Sequence, residues 1–238
     1  MMRRAIVLVL AAVILGACSG RDTEQAFFDE VASLSKEEVY ARAEALVEQE
    51  DWEEARRYFS FLADSFPNDP LGRKASLRVA DTFFERNDVE SLTEAQLRYR
   101  DFANRFPSDP NRAYALLMLG KCHSKQGRGP GRDLTPVREA RAAFEQLIAL
   151  FPDSPYAPEA RELLAKCLED LAGHELEVAR YYLRNGRPEG ARLRLEYLMA
   201  NYPNTEAARQ GVPMLELVSG VPPAAEPAAT AAPTPTGR

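Results

Sequence analysis

The chain has 238 residues, and 36 acidic and 30 basic side chains give it a formal net charge of −6 at neutral pH. An acidic chain of this kind is a poor ligand for nucleic acid or anionic lipid head groups, so neither is predicted as a main partner. Its length alone allows one domain or two.

The first eighteen residues combine a basic start, an apolar stretch and a cysteine. Arg3 and Arg4 precede the apolar residues 5–15, which are too few to span a bilayer as a permanent helix. The run LGAC then ends at Cys18. This arrangement resembles a bacterial lipoprotein signal, in which the chain is cut before a cysteine that receives lipid. The resemblance predicts a signal peptide over 1–17 and a firm lipid anchor on Cys18, with an ordinary secretory signal beside a chance cysteine as the alternative.

The segment after the signal is predicted to tether the anchor to the folded domain. Cleavage before Cys18 would remove two arginines and change the formal charge from −6 to −8. Residues 18–35 then form the tether, and its large apolar residues are Phe27, Phe28, Val31 and Leu34. Their spacing indicates one short helix.

Four short segments repeat a helix-ending pattern. They are FPNDP at 66–70, FPSDP at 106–110, FPDSP at 151–155 and YPNTE at 202–206. In each of them the proline cannot continue a helix, and a polar residue can cap the next one. The predicted caps are Asp69, Asp109, Ser154 and Thr205. The aromatic residues recur at intervals of 40, 45 and 51 residues, which is compatible with tandem helical repeats that contain insertions.

The helix before each corner carries an alanine twelve residues ahead of the corner proline, at Ala55, Ala95, Ala140 and Ala191. The first unit spans 34 residues and places its apolar residues in the order of a tetratricopeptide repeat. We therefore predict an all-α tetratricopeptide-repeat superhelix, an α-solenoid, over 36–219. It would contain about four full repeats and a terminal capping helix. Two capping boxes are also predicted, Ser35 with Glu38 and Ser91 with Glu94.

The first helices of the later repeats are predicted to carry a small contact residue, at Ala80, Gly120 and Ala165. On this register the insertions lie between the two helices of a repeat, and residues 155–185 form one long helix. Pro213 should kink or interrupt the last helix. The segment 220–238 is rich in proline and alanine and is predicted to be a disordered tail.

The sequence contains no convincing catalytic constellation. Cys167, Asp170 and His174 share one helical face, but a closed zinc site needs a fourth ligand. We therefore predict no enzyme, no cofactor and no metal site, which disfavours a cell-wall hydrolase. Cys122 and Cys167 occupy equivalent repeat positions, too far apart for a disulfide, and are predicted to be buried small hydrophobes.

Charge is distributed in blocks along the chain. Residues 22–64 contain thirteen acidic and four basic side chains, whereas residues 98–141 contain ten basic and four acidic ones. Exposed helix faces carry charge in most proteins, so the plain reading is a solvated surface. As blocks of opposite sign, they also suit docking of partner domains.

The sequence resembles the BamD family of outer-membrane assembly lipoproteins, also called ComL or YfiO, over most of the mature chain. The most specific segments are ARAAF at 140–144 and the spacing of Glu175, Val178-Ala179, Tyr181-Tyr182 and Gly186, followed by Arg194, Glu196 and Tyr202-Pro203. The resemblance implies an elongated repeat protein on the periplasmic face of the outer membrane. The family holds the periplasmic domains of the barrel-forming BamA subunit through its C-terminal half. Its N-terminal half is thought to receive unfolded outer-membrane proteins.

The resemblance also assigns roles to single positions. Arg194 matches the family's arginine before the last Tyr-Pro corner, which contacts the barrel subunit, and the alternative is a solvated helix arginine. Phe66 lies at a corner in the half assigned to substrate, and the alternative is that it packs the solenoid as the other corner aromatics do. The Pro/Ala tail replaces a further helix expected of the family. The leading hypothesis is a non-enzymatic, lipid-anchored adaptor of the β-barrel assembly machinery that also meets other assembly lipoproteins. The alternative is another periplasmic tetratricopeptide lipoprotein, such as a secretin pilotin or a cell-envelope coordination factor.

Overall fold

The structure is a computed structural model that describes residues 24–126 and 133–220. Its helices are α1 (24–33), α2 (Lys36–Glu48), α3 (Trp52–Ser65), α4 (Pro70–Arg86), α5 (Val89–Arg105), α6 (Arg112–Gln126), α7 (Thr135–Leu150), α8 (Ala157–Arg184), α9 (Pro188–Asn201) and α10 (Glu206–Ser219). No described residue lies in a strand. The predicted signal peptide 1–17, Cys18 and the predicted tail from residue 221 lie outside the described residues, and so do residues 127–132.

The contacts divide the chain into two compact units, an N-terminal unit that ends at Cys122 and a C-terminal unit that begins at His123. In the N-terminal unit α2 packs on α3, α3 on α4 and α4 on α5. In the C-terminal unit α7 packs on α8, α8 on α9 and α9 on α10. Within each unit, these successive helices are therefore neighbours in space, as in a helical-repeat solenoid. The predicted all-α repeat fold is confirmed.

The N-terminal core forms where apolar faces of the first four helices meet. Phe27 and Val31 of α1 are buried in it, which confirms the predicted short helix. Ala43 of α2 and Ala55 of α3 are fully buried, and their small side chains let the two helices approach. Phe59 and Leu62, on the same face as Ala55, are also fully buried.

The four predicted corners are confirmed, and they share one geometry. The aromatic residues are Phe66, Phe106, Phe151 and Tyr202, and each donates its backbone N–H to the carbonyl oxygen four residues earlier. Each aromatic carbonyl then accepts the N–H of the residue three positions later, at 3.0 to 3.2 Å. The proline between them lacks an N–H and cannot extend the preceding helix.

Two of the four predicted helix caps are confirmed, and two are wrong. The side chains of Asp69 and Thr205 accept backbone N–H groups at the starts of α4 and α10. Asp109 and Ser154 instead close a separate turn before the next helix. The Asp109 carboxylate accepts the N–H of Asn111, and α6 begins only at Arg112. The Ser154 hydroxyl accepts the N–H of Tyr156, and α8 begins at Ala157. Short polar side chains favour such turns because they bond the backbone two residues ahead.

One of the two predicted capping boxes is wrong as well. Ser35 and Glu38 form the predicted box at the start of α2. At the start of α5, however, the cap is Asp88, whose carboxylate accepts both the N–H and the hydroxyl of Ser91 at 2.8 Å. Ser91 is therefore inside the helix.

The long predicted helix is confirmed as α8, but the register assigned within it is wrong. Ala165 is exposed and cannot be a contact residue. Ala179 is fully buried and stands twelve residues before Ala191, as Ala43 stands before Ala55. The additional residues of the fourth repeat therefore extend the N-terminal part of α8 and do not separate α8 from α9.

The last helix, α10, continues through Pro213 to Ser219. Pro213 neither ends the helix nor divides it in two, contrary to one of the predicted outcomes. Among the helices of the described ranges, none is both long enough and apolar enough to cross a bilayer.

Candidate partner-binding site

The hairpin of α8 and α9 in the C-terminal unit carries the arginine that the sequence singled out. The chain reverses at Gly186, whose φ of +66° is a conformation that side chains disfavour. The N–H of Arg187 then donates to the carbonyl oxygen of Tyr182. Gly190 lies against the Tyr182 ring, where a β-carbon would come within 2.8 Å. Gly186 supplies the reversal and Gly190 the close approach, so α9 returns directly along α8.

This close approach brings Arg194 of α9 to Glu175 of α8. Arg194 Nη1 donates to Glu175 Oε2 at 3.1 Å. The two side chains differ in exposure, because Arg194 is 45% exposed and Glu175 only 11%. Arg194 therefore neutralises a nearly buried carboxylate although almost half of its own side chain is exposed. Removing one partner of such a pair leaves an uncompensated charge.

Large apolar side chains lie beside Arg194 on the exposed face of α9. Leu193 is 60% exposed and Tyr197 is 47% exposed. They are four residues apart, so they lie one turn from each other on the same face. The Tyr197 ring also contacts Tyr202 at 6.2 Å between centroids. Burial, and after it the neighbouring Tyr197, raises the pKa of Tyr202. A guanidinium bordered by exposed apolar groups is a common composition for a protein interface.

A concave surface lies in the N-terminal unit, between α3, α4 and α5. Its volume is about 650 Å³, and Pro67 of the first corner and Phe106 of the second help to line it. Phe66, singled out by the sequence, is 39% exposed at the first corner. Arg73 is placed over the Phe106 ring and forms an ion pair with Asp109 at 2.7 Å. The remaining charged lining residues are Asp64, Glu94, Arg98, Asp101 and Arg105. The lining of this groove combines apolar residues such as Val79 and Phe102 with side chains of both charges.

A buried polar cluster also lies in the N-terminal unit, and the sequence analysis missed it. Asp81 accepts hydrogen bonds from the hydroxyls of Tyr99 at 2.6 Å and Tyr114 at 2.8 Å, and from Arg78 Nη1 at 2.8 Å. Arg78 also binds both carboxylate oxygens of Glu44. Burial alone would lower the pKa of Arg78, but its hydrogen bonds to Glu44 and Asp81 raise it. The only sequence signal was polar residues on otherwise apolar helix faces.

The side chains considered for metal binding are not brought together in the described residues. Within 24–126 and 133–220, no three His, Cys, Asp or Glu side chains are placed to hold a metal ion, and Cys167, Asp170 and His174 form no such group. Cys122 and Cys167 are buried and neither is in a disulfide, as predicted. Burial raises the pKa of the Cys167 thiol, which suppresses its reactive thiolate form.

Comparison with known proteins identifies the family. Residues 32–218 match the family YfiO, described as an outer membrane lipoprotein. This chain belongs to the YfiO family.

Similar proteins are found in several bacteria. The Haemophilus influenzae protein is 28% identical over 221 residues, which cover 88% of this chain and 80% of the relative. The Neisseria gonorrhoeae protein is 26% identical over 226 residues, covering 91% and 84%. The Vibrio cholerae protein is 26% identical over 214 residues, covering 86% and 85%. Each is named outer membrane protein assembly factor BamD.

Proposed function

We propose that this chain is a lipid-anchored adaptor of the β-barrel assembly machinery at the periplasmic face of the outer membrane. It binds the barrel-forming subunit and helps to deliver or insert outer membrane proteins. The observation that carries the proposal is the YfiO match over 32–218. It is supported by relatives named as outer membrane protein assembly factors, aligned over most of both chains. The activity is binding and not catalysis.

The proposed membrane attachment rests on Cys18. The LGAC run supports processing at this residue, and the YfiO family is described as a lipoprotein. Several acyl chains on one residue hold a protein firmly at a membrane. Replacing Cys18 by alanine should move the protein from the membrane fraction to the soluble periplasmic fraction. A Cys18→Ala protein that still sediments with membranes in high salt would contradict lipid anchoring at this residue.

The proposed contact with the barrel-forming subunit rests on Arg194 and its surroundings in the C-terminal unit. The exposed guanidinium and the neighbouring Leu193 and Tyr197 support a protein partner with periplasmic domains. The N-terminal groove is the proposed site for segments of unfolded outer membrane proteins. Its open shape and mixed apolar and charged lining suit extended chains of varied sequence. Other assembly lipoproteins are proposed as further partners.

Co-purification from solubilised membranes tests the proposal. The ion pair determines which variant to use, because Arg194→Glu would place a second carboxylate beside Glu175 and also destabilise the fold. Arg194→Lys keeps a positive charge near Glu175 but removes the planar fork that binds carboxylates with two hydrogen bonds. We expect Arg194→Lys to lower recovery of the barrel-forming subunit at least about tenfold.

Arg192→Ala is the matched control for this experiment. Arg192 lies on the same helix, and its guanidinium bonds to Glu189 and Glu196 of that helix. Recovery of the barrel-forming subunit should not change in this variant. Equal recovery by the wild-type and Arg194→Lys proteins would contradict the Arg194 contact. Recovery of a secretin in place of the barrel-forming subunit would contradict the proposed function and favour a pilotin.

A further inference from the structure

We infer that Glu175 is a positioning residue for the partner contact of Arg194. Its buried carboxylate holds one amino group of the guanidinium, so that the rest of the planar fork is presented outward to a carboxylate of the partner. The inference rests on the proposed function and deepens it, because it names a residue that acts without touching the partner.

The first support is the firm placement of Glu175. It lies in the middle of α8, between the buried residues Leu171 and Ala172 and the buried Leu176 and Ala179. A side chain that is 11% exposed in a packed helix has few alternative rotamers. The carboxylate is therefore a fixed point, set by the same packing that sets the α8–α9 hairpin.

The second support is the way Arg194 uses this fixed point. Arg194 Nη1 bonds to Glu175 at 3.1 Å. Within the described residues, this is the one side-chain hydrogen bond that the guanidinium makes. An arginine has five N–H donors in a rigid fork. Because Glu175 occupies only one of these donors, the others can form two parallel hydrogen bonds with a carboxylate of the partner. A long flexible side chain that is already ordered loses less entropy when a partner binds.

The third support is the contrast with Arg192, two residues earlier. Arg192 is held from both sides by exposed acids of its own helix, Glu189 at 3.0 Å and Glu196 at 2.7 Å. Its charge is neutralised at the surface and its donors are shared between two neighbours. Arg194 has one partner from another helix, located inward, and exposed apolar groups beside it. Such groups exclude water around a central polar contact when a partner docks.

A double-mutant cycle tests the inference on the full-length, detergent-solubilised lipoprotein. The four proteins are wild type, Glu175→Gln, Arg194→Ala and the double variant. The probe is the purified set of periplasmic domains of the barrel-forming subunit, and the measurement is the dissociation constant. Glutamine is close to glutamate in shape, so the packing of α8 is retained. Ordering one long side chain corresponds to about a 3- to 10-fold effect, and Glu175→Gln should weaken binding by that factor.

The decisive comparison is the same substitution in the Arg194→Ala background. If Glu175 acts through Arg194, Glu175→Gln changes the affinity there by less than about 1.5-fold. An equal weakening in both backgrounds would show a general structural role and overturn the inference. So would unchanged affinity of the single Glu175→Gln variant.

Two further measurements separate the possible failures. Thermal melting of each protein reports folding, and Glu175→Asp serves as a second variant if Glu175→Gln does not fold. Glu175→Asp keeps the charge but shortens the side chain by one carbon, so it should also weaken binding only when Arg194 is present. If the wild-type protein does not bind the periplasmic domains, the proposed function fails and this inference fails with it. If the wild type binds and the cycle shows no coupling, the inference alone is overturned.

Discussion

The two units use charged side chains in different places. In the N-terminal unit, basic residues reach acids about one repeat away, as in Lys36 with Asp69 and Arg78 with Glu44. In the C-terminal unit, Arg141, Arg180 and Arg192 each pair with an acid one turn away on their own helix. Pairs between helices favour one stacking arrangement, whereas exposed pairs within a helix contribute little to stability. Part of the charge in the N-terminal unit therefore links repeats, although pairs such as Arg98 with Glu94 lie within one helix there too, whereas the pairs named in the C-terminal unit lie on exposed helix faces.

The same difference is visible at one buried acid in each unit. Asp81 is 8% exposed, and three donors from three side chains surround it within the protein. Glu175 is also nearly buried, but its donor Arg194 is half-exposed. The first acid belongs to a closed network, and the second supports a group that faces outward. A buried charge can thus complete a fold in one unit and prepare a surface in the other.

The largest effect is expected at Gly72, at the first corner of the N-terminal unit. A β-carbon there would overlap the backbone carbonyl of Phe66 and lie 2.7 Å from its carbon. Backbone cannot move aside as a side chain can, so Gly72→Ala should lower the free energy of unfolding by about 3 kcal/mol or more. Urea denaturation measures this change. Gly220→Ala is the control, because nothing lies within 4 Å of a β-carbon at that position.

The next largest effect on stability is expected at the two buried acids, Asp81 and Glu175, and it should differ between them. Asp81→Asn removes a charge from a closed network, and we expect a loss of about 2–3 kcal/mol in the free energy of unfolding. Glu175→Gln should cost about 1 kcal/mol, because solvent reaches Arg194 and compensates in part. Both values come from urea denaturation at neutral pH. A larger loss for Glu175→Gln than for Asp81→Asn would contradict the proposed distinction between closed and open networks.

A smaller effect is expected where a side chain of α8 caps α10. The Glu169 carboxylate accepts the backbone N–H groups of Glu206 and Ala207, each at 2.9 Å. Replacing Glu169 by glutamine removes a negative charge from the positive end of the helix, and we expect a loss of about 1 kcal/mol. Thermal unfolding can measure it. Glu162→Gln, an exposed position on the same helix, should leave the melting temperature unchanged.

The smallest effect is expected for the surface pairs of the C-terminal unit. Arg192→Ala removes two exposed pairs on α9, and the free energy of unfolding should stay within the error of the measurement. A clear loss of stability would show that these pairs do more than solvate the helix. It would also weaken the contrast between the two units.

Much of the fold could be predicted because its signals are local. The four corners combine an aromatic residue, a proline and a polar residue within five positions. Each of these residues affects only the backbone next to it, so no distant contact is needed to recognise a corner. The exact helix starts were less predictable, because Asp109 can cap a turn as well as a helix. The register of α8 was missed because Ala165 and Ala179 are both small, and only the partner helix α9 distinguishes them.

The site was only partly predictable for a related reason. Arg194 could be selected through the family resemblance. The proposed role of Glu175 could not be predicted in this way. An acidic residue in a charged helix is expected to be exposed to solvent unless the position of the opposing helix is known. The same applies to Asp81, whose hydroxyl donors lie 18 and 33 residues away in sequence. Tertiary partners decide burial at these positions, and no local pattern records them.

The two buried cysteines offer a way to watch each unit separately. Cys122 belongs to the N-terminal unit and Cys167 to the C-terminal unit, and both are shielded from solvent in the folded protein. A thiol reagent can therefore reach each sulfur only when its surroundings open. In variants that keep only one of these two cysteines, the alkylation rate would report local unfolding around that cysteine. The two variants would thus measure local unfolding in each unit independently.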